Sequence, residues 1–236
     1  MRNIASIARR EFAAYFYSPI AYVFIVVFLL ISGYMFFTQL LLNNQADMRP
    51  LFGLAPLLFC FFGPFITMRL FAEEKAQGTL EMLFALPVTD WQVVVGKFAA
   101  AMGLVAVMLG LTLPYAVFVG SRGSLDMGPV IGGYLGLFLM AGGYVAVGIM
   151  ASAWTKEQIV AAIMGFFICF VLFLADKVLS VVPPVLAPVL QAISFDHHFQ
   201  SISRGVIDTR DLLYYVSLIG ICTLIAETSL ESRRWR

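Results

Sequence analysis

"IAYVFIVVFLLISGYMFFTQLLL", Ile20 to Leu42, carries no charged residue from end to end. A helix needs about 20 apolar residues to cross the hydrocarbon core of a bilayer. Lipid offers the backbone no hydrogen-bond partner, so such a run is stable there only as a helix that satisfies its own N–H and C=O groups. The run exceeds the roughly 7–15 residues of a signal-peptide core, and it reads as a retained membrane anchor.

Five more segments of this kind follow: Leu51–Phe71, Val93–Gly120, Val130–Ala153, Ile159–Val182 and Leu212–Leu230. The last is the weakest, because Asp211 and Glu227 bracket it, and the fifth carries Asp176 and Lys177 near one end. Composition agrees with six spans. Of 236 residues 61% are hydrophobic and 12% charged, against roughly 25% charged in ordinary soluble domains. The expected fold class is all-α and integral to the membrane, one domain over residues 1–236 whose constant partner is the lipid bilayer.

The net charge of +1 gives no ground for a nucleic-acid partner. Cys60, Cys169 and Cys222 all lie inside apolar runs, where a thiol behaves as a small hydrophobe; neither a disulfide framework nor a metal cluster is expected. No ionisable residue falls near the middle of a span. That speaks against an ion-coupled carrier, which places charges there.

Basic residues in short loops set orientation. With both termini inside, the inner segments hold Arg2, Arg9, Arg10, Arg69, Lys75, Lys97, Lys156, Arg233, Arg234 and Arg236, and the outer ones Arg49, Arg122, Lys177, Arg204 and Arg210. The split of ten to five favours cytoplasmic termini.

Three regions outside the spans carry the remaining signal. Residues 1–18 have helical periodicity, with Ile4, Ile7, Ala8, Phe12 and Tyr15 on one face and Arg2, Ser6, Arg9 and Arg10 on the other. Such a helix lies at the interface with its cationic side toward the headgroups. Glu11 projects from its apolar side, either snorkelling from the edge or pairing with an arginine of the same layer such as Arg69.

Residues 72–90 form a charged segment between spans two and three. At 100° per residue Glu73, Gln77, Glu81 and Glu74 share one arc of a helix, and Ala76, Leu80, Leu83 and Leu86 another. Arg69 and Glu73 are i,i+4 neighbours. Gly78 marks a break, Pro87 ends the segment, and Thr89 or Asp90 can cap the helix that follows.

Residues 183–210 are apolar at first but interrupted by Pro183, Pro184 and Pro188, so they predict a short re-entrant or interfacial helical pair in the outer loop before the last span. Asp196, His197 and His198 are adjacent, and three adjacent side chains cannot all converge on one ion. In span four Gly132–Gly136 and Gly148–Ser152, and in span three Ala99–Gly103 and Ala106–Gly110, have the small-xxx-small spacing that permits close helix contact.

Enzymatic motifs are missing. Gly96-Lys97 resembles the end of a P-loop, but Phe98 stands where Ser or Thr is required and the upstream glycine is absent. The chain has no H-E-x-x-H and no G-x-S-x-G. If the chain performs work, the energy comes from elsewhere.

"RLFAEEKAQGTLEMLFALPVTDWQVVVGK", Arg69 to Lys97, resembles the signature between spans two and three of ABC-2 type transporter permeases. The matching residues are Arg69, Glu73 and Glu74, then Gly78-Thr79-Leu80-Glu81, then Leu86-Pro87 and Thr89. "ARREFAAYFYSPIAYV" near the N-terminus and "HHFQSISRGVIDTRDLLYY" before the last span are similar to the same family, and within it to the permeases of gliding-motility and nitrous-oxide-reductase-maturation transporters. The resemblance implies a permease subunit in a bacterial cytoplasmic (inner) membrane, exporting with a second permease chain, identical or related, and a cytoplasmic ATPase. ATP and Mg²⁺ would be bound by that ATPase, leaving this chain with no cofactor, metal or catalytic residue of its own. Carried over by position, Glu73, Glu74, Gly78, Thr79, Leu80, Glu81 and Pro87 would form the ATPase-coupling site. Arg9, Arg10 and Glu11 would belong to the interfacial helix, and Pro183, Pro184, Pro188, His198, Arg204 and Gly205 to the outer gate. A non-transporting scaffold of an ATPase-driven maturation or motility complex fits the same features. The cargo is not legible.

Overall fold

A computed structural model describes residues 2–43, 47–80, 88–123, 126–178, 187–206 and 208–234. Glu81, Pro87, Pro183 and Pro184 lie outside the described residues. Within them the chain is helical, with no strand. Helix α1 spans Arg2–Tyr17, α2 Pro19–Asn43, α3 Arg49–Thr67, α4 Arg69–Gln77, α5 Asp90–Gly110 and α6 Leu113–Gly120. Then come α7 Met127–Trp154, α8 Gln158–Lys177, α9 Ala187–Ile193, α10 Phe195–Ser203 and α11 Thr209–Arg234. Among the described residues six stretches are long and apolar enough to cross a membrane, namely α2, α3 with α4, α5 with α6, α7, α8 and α11.

Two spans depart from the single rods expected. Span three breaks at Leu111–Thr112, between α5 and α6. The cause is Pro114, which has no N–H to give the carbonyl of Gly110. Thr112 repairs the break: its hydroxyl donates to Leu109 O at 2.7 Å, and its carbonyl accepts Tyr115 N–H at 2.9 Å and the Tyr134 hydroxyl at 3.1 Å. Span two does not end at a loop. It runs through Met68 straight into α4, so the charged segment continues a transmembrane helix.

Helix α7 is the hub, packed by α3, α4, α5, α8, α10 and α11. Its glycines make that crowding possible. A Cβ added at Gly148 would lie 2.0 Å from Thr67 Oγ1 and 3.0 Å from Pro64 Cα, so α3 can approach there only because the position has no side chain. Gly132 and Gly136 meet α10, at Ile202 and Phe199. In span three Gly103 faces Phe12 of α1, whereas a Cβ at Gly110 would meet nothing within 4 Å, so the Ala106–Gly110 pair makes no close contact.

The amphipathic helix α1 packs on α5, with Ile7 over Gly96 and Phe12 over Gly103. Its apolar face is thus partly covered by protein, while Arg9 and Arg10 remain exposed. At the opposite end of the bundle α9 and α10 form the expected pair of short helices before the last span.

Candidate functional site at the α4 junction

Helix α4 is held directly by polar contacts from α7 and α5, and through them it is tied to α1 and α11. The helix stops at Gly78, whose φ of 69° is left-handed and costs a glycine little. The N–H groups of Gly78 and Thr79 both reach Glu74 O, the second at 3.0 Å. The next helix starts at Thr89, whose side chain accepts Gln92 N–H at 3.3 Å, the cap expected for span three.

The junction at Met68 is secured from α7. Ser152 Oγ donates to Met68 O at 2.9 Å and accepts from the N–H groups of Phe71 and Ala72, each at 3.1 Å. One residue further on, Ala153 O accepts the ammonium of buried Lys75 and, at 3.0 Å, the hydroxyl of Ser229 in α11. The last turn of α7 therefore ties α4 to the final span. Tyr15 of α1 donates its hydroxyl to Ile66 O at 2.9 Å, and burial raises that phenol's pKa.

Charges complete the layer. Lys97, buried in α5, lies 2.7 Å from Glu74 Oε1 and 3.4 Å from Glu11 Oε2, and 5.2 Å from the ring centre of Phe71. Arg10 pairs with Glu11 at 2.9 Å, and Arg69 pairs with Glu73 at 3.1 Å. Glu11 does pair with an arginine of its layer, but with Arg10 rather than Arg69, and it also meets Lys97. Lys97 comes within reach because Gly96 lets α1 approach α5 closely just where Lys97 begins. A cleft of about 250 Å³ opens between α1 and α4, lined by Glu11, Arg69, Glu73, Glu74, Gln77 and Thr79 among others. The second oxygen of Glu74 is buried with no hydrogen-bond partner among the described residues.

Of the residues expected to couple to a partner, Glu73 and Glu74 line this cleft half-buried, Gly78 and Thr79 are exposed, and Leu80 is buried. Arg9 and Arg10 are exposed on α1, and Glu11 reaches the cleft. The outer residues lie at the other end of the bundle. There His198 Nδ1 sits 2.7 Å from Asp211 Oδ1, with its ring stacked on Tyr214 at 4.1 Å. Asp196 instead meets Lys177 at 2.5 Å, so the adjacent Asp196 and His198 turn to different elements. Pro188 and Arg204 are exposed, and Gly205 has a φ of 86°. Among the described residues no group of three His, Cys, Asp or Glu side chains is placed to hold a metal.

Lys97, Lys75 and Ser152 were not singled out as site residues from sequence. A lone lysine at the start of an apolar run and a serine four residues after Gly148 were the available signals.

The family model described as ABC-2 family transporter protein matches residues 5–219. No curated protein matches the chain.

Proposed function

Since the chain belongs to the ABC-2 transporter family, as a multi-pass membrane component, we propose that it couples ATP hydrolysis by a separate cytoplasmic ATPase to export. In this reading the α4 end faces the cytoplasm, the side that the ten-to-five distribution of basic residues favours, and the membrane is a bacterial inner membrane. ATP and Mg²⁺ belong in this reading to the ATPase. A second permease chain completes the pathway.

The observation that supports it is the attachment of α4. Its exposed residues, Ala76 to Thr79, are available to a partner. Its buried side is bonded to α7 through Ser152 and Lys75, to α5 through Glu74 and Lys97, and through Lys97 to α1. A push on the exposed tip therefore moves spans two, three and four together, with little lost to local bending. The energy that an ATPase releases on closing can reach the membrane only through such a stiff connection.

Pull-down of the tagged full-length chain from its native membranes tests this. Thr79→Trp and Gln77→Lys add bulk or charge on the exposed tip and leave every contact named above intact. Loss of the co-purifying ATPase, with unchanged thermal unfolding of the permease, is expected. Retention of an ATPase at wild-type yield in both variants overturns the assignment of α4 as its docking element.

A further inference from the structure

At the end of the bundle away from α4, a cavity of about 450 Å³ opens between the start of α3, the end of α8 and α10. Its lining brings three cations, Arg49, Lys177 and Arg204, against a single carboxylate, Asp196. That carboxylate is already taken by Lys177 at 2.5 Å. Arg49 reaches Asp47 at 3.5 Å with most of its side chain exposed, and Arg204 has no acidic partner among the described residues. Lys177 is neutralised by Asp196 and, at 3.6 Å, by Asp176, and Arg49 meets Asp47 only loosely, so the exposed guanidinium groups of Arg49 and Arg204 are the cations open to an anion in this concavity.

The walls add to the case. Phe52 and Phe199, both buried, form an apolar side, and Gln200 supplies a neutral donor. Gly53 lies on the lining, and a Cβ there would meet nothing within 4 Å. Arg49 opens α3 and Lys177 closes α8, so both stand at the boundary of a span, where cationic side chains meet headgroups. Guanidinium groups match phosphate oxygens in pairs.

We propose that this cavity binds a phosphate-type anion, with the guanidinium groups of Arg49 and Arg204 on its oxygens and Phe52 and Phe199 against any apolar body attached to it. The chemistry is shared by two sources, the head group of an anionic lipid and free phosphate. The proposal rests on the cavity alone and holds whether or not α4 docks an ATPase.

The test uses the purified full-length chain in detergent. Native mass spectrometry reads retention of dioleoylphosphatidylglycerol against dioleoylphosphatidylcholine, and thermal shift reads the response to inorganic phosphate. Arg204→Gln removes an exposed, unpaired cation, and Gly53→Leu fills open space in the cavity, so both variants keep the wild-type melting temperature without ligand. Selective retention of phosphatidylglycerol, weakened roughly tenfold by each variant, assigns a lipid head group. Stabilisation by phosphate, lost in both variants, with no selective lipid retention, assigns a free anion. Equal retention of the two lipids with no response to phosphate, or binding that neither variant changes, overturns the proposal.

Discussion

Lys97 and Glu74 form a 2.7 Å ion pair that joins the third span to the charged extension of the second. The lysine is almost fully buried, while Glu74 and Glu11 keep some exposure. Removing one member of a buried pair costs about 3–5 kcal/mol, because the other is left unpaired. Lys97→Met is expected near the lower end of that range, since water can still reach both carboxylates. Adding Glu74→Gln should restore part of the loss. Thermal unfolding of the two single variants and the double variant measures the coupling; simple additivity would show that the pair contributes nothing.

Ser152→Ala removes one donor and one acceptor from the α3–α4 junction at Met68, leaving the N–H groups of Phe71 and Ala72 without that partner. Buried polar groups so stranded cost roughly 1–3 kcal/mol each. Amide exchange at Phe71 and Ala72 should accelerate well beyond that at mid-α7 positions such as Tyr144. Unchanged protection at both amides would mean that the hydroxyl is not what secures α4.

Gly148→Ala places a methyl 2.0 Å from the Thr67 hydroxyl oxygen. Overpacking of this kind costs roughly 1–3 kcal/mol or more, so the variant should melt lower and purify in lower yield. Gly220→Ala is the matched control, because a Cβ there would meet nothing within 4 Å. It should leave the melting temperature unchanged or raise it.

His198→Phe preserves an aromatic ring to stack on Tyr214 but discards the 2.7 Å bond to Asp211. Destabilisation by about 1 kcal/mol is expected. Limited proteolysis should then cut between α10 and α11 faster than in the wild type; an unchanged rate would show that the stack alone holds the junction.

The spans were legible in the sequence because charge-free length is a one-dimensional property; the expected bounds Ile20–Leu42 and Val130–Ala153 fall just inside α2 and α7. Local stops were legible for the same reason, as with Gly78 and the Thr89 cap. The Arg69–Glu73 pair could be read from i,i+4 spacing and is present. Partnerships across the fold could not. Glu11 meets Lys97 because α1 lies on α5, and no periodicity within α1 states which helix will cover it. Ser152 looked like one more small residue for packing, and only its position opposite Met68 makes it a hydrogen-bonding hub. Similarly, Ala106–Gly110 has the right spacing but no neighbour to use it, since spacing describes one helix and contact requires two.

The burial of α7 also carries a consequence for how the chain is made. Three of the helices that shelter it, α8, α10 and α11, follow it in sequence. As the polypeptide leaves the ribosome, the glycine notches at Gly132, Gly136 and Gly148 enter the bilayer with only the earlier helices to meet them. Gly148 can seat on α3 at once, but Gly132 and Gly136 wait for α10, and the Ala153 carbonyl waits for Ser229 of α11. The packing around α7 is therefore completed from the centre outward, by helices that follow it in the chain.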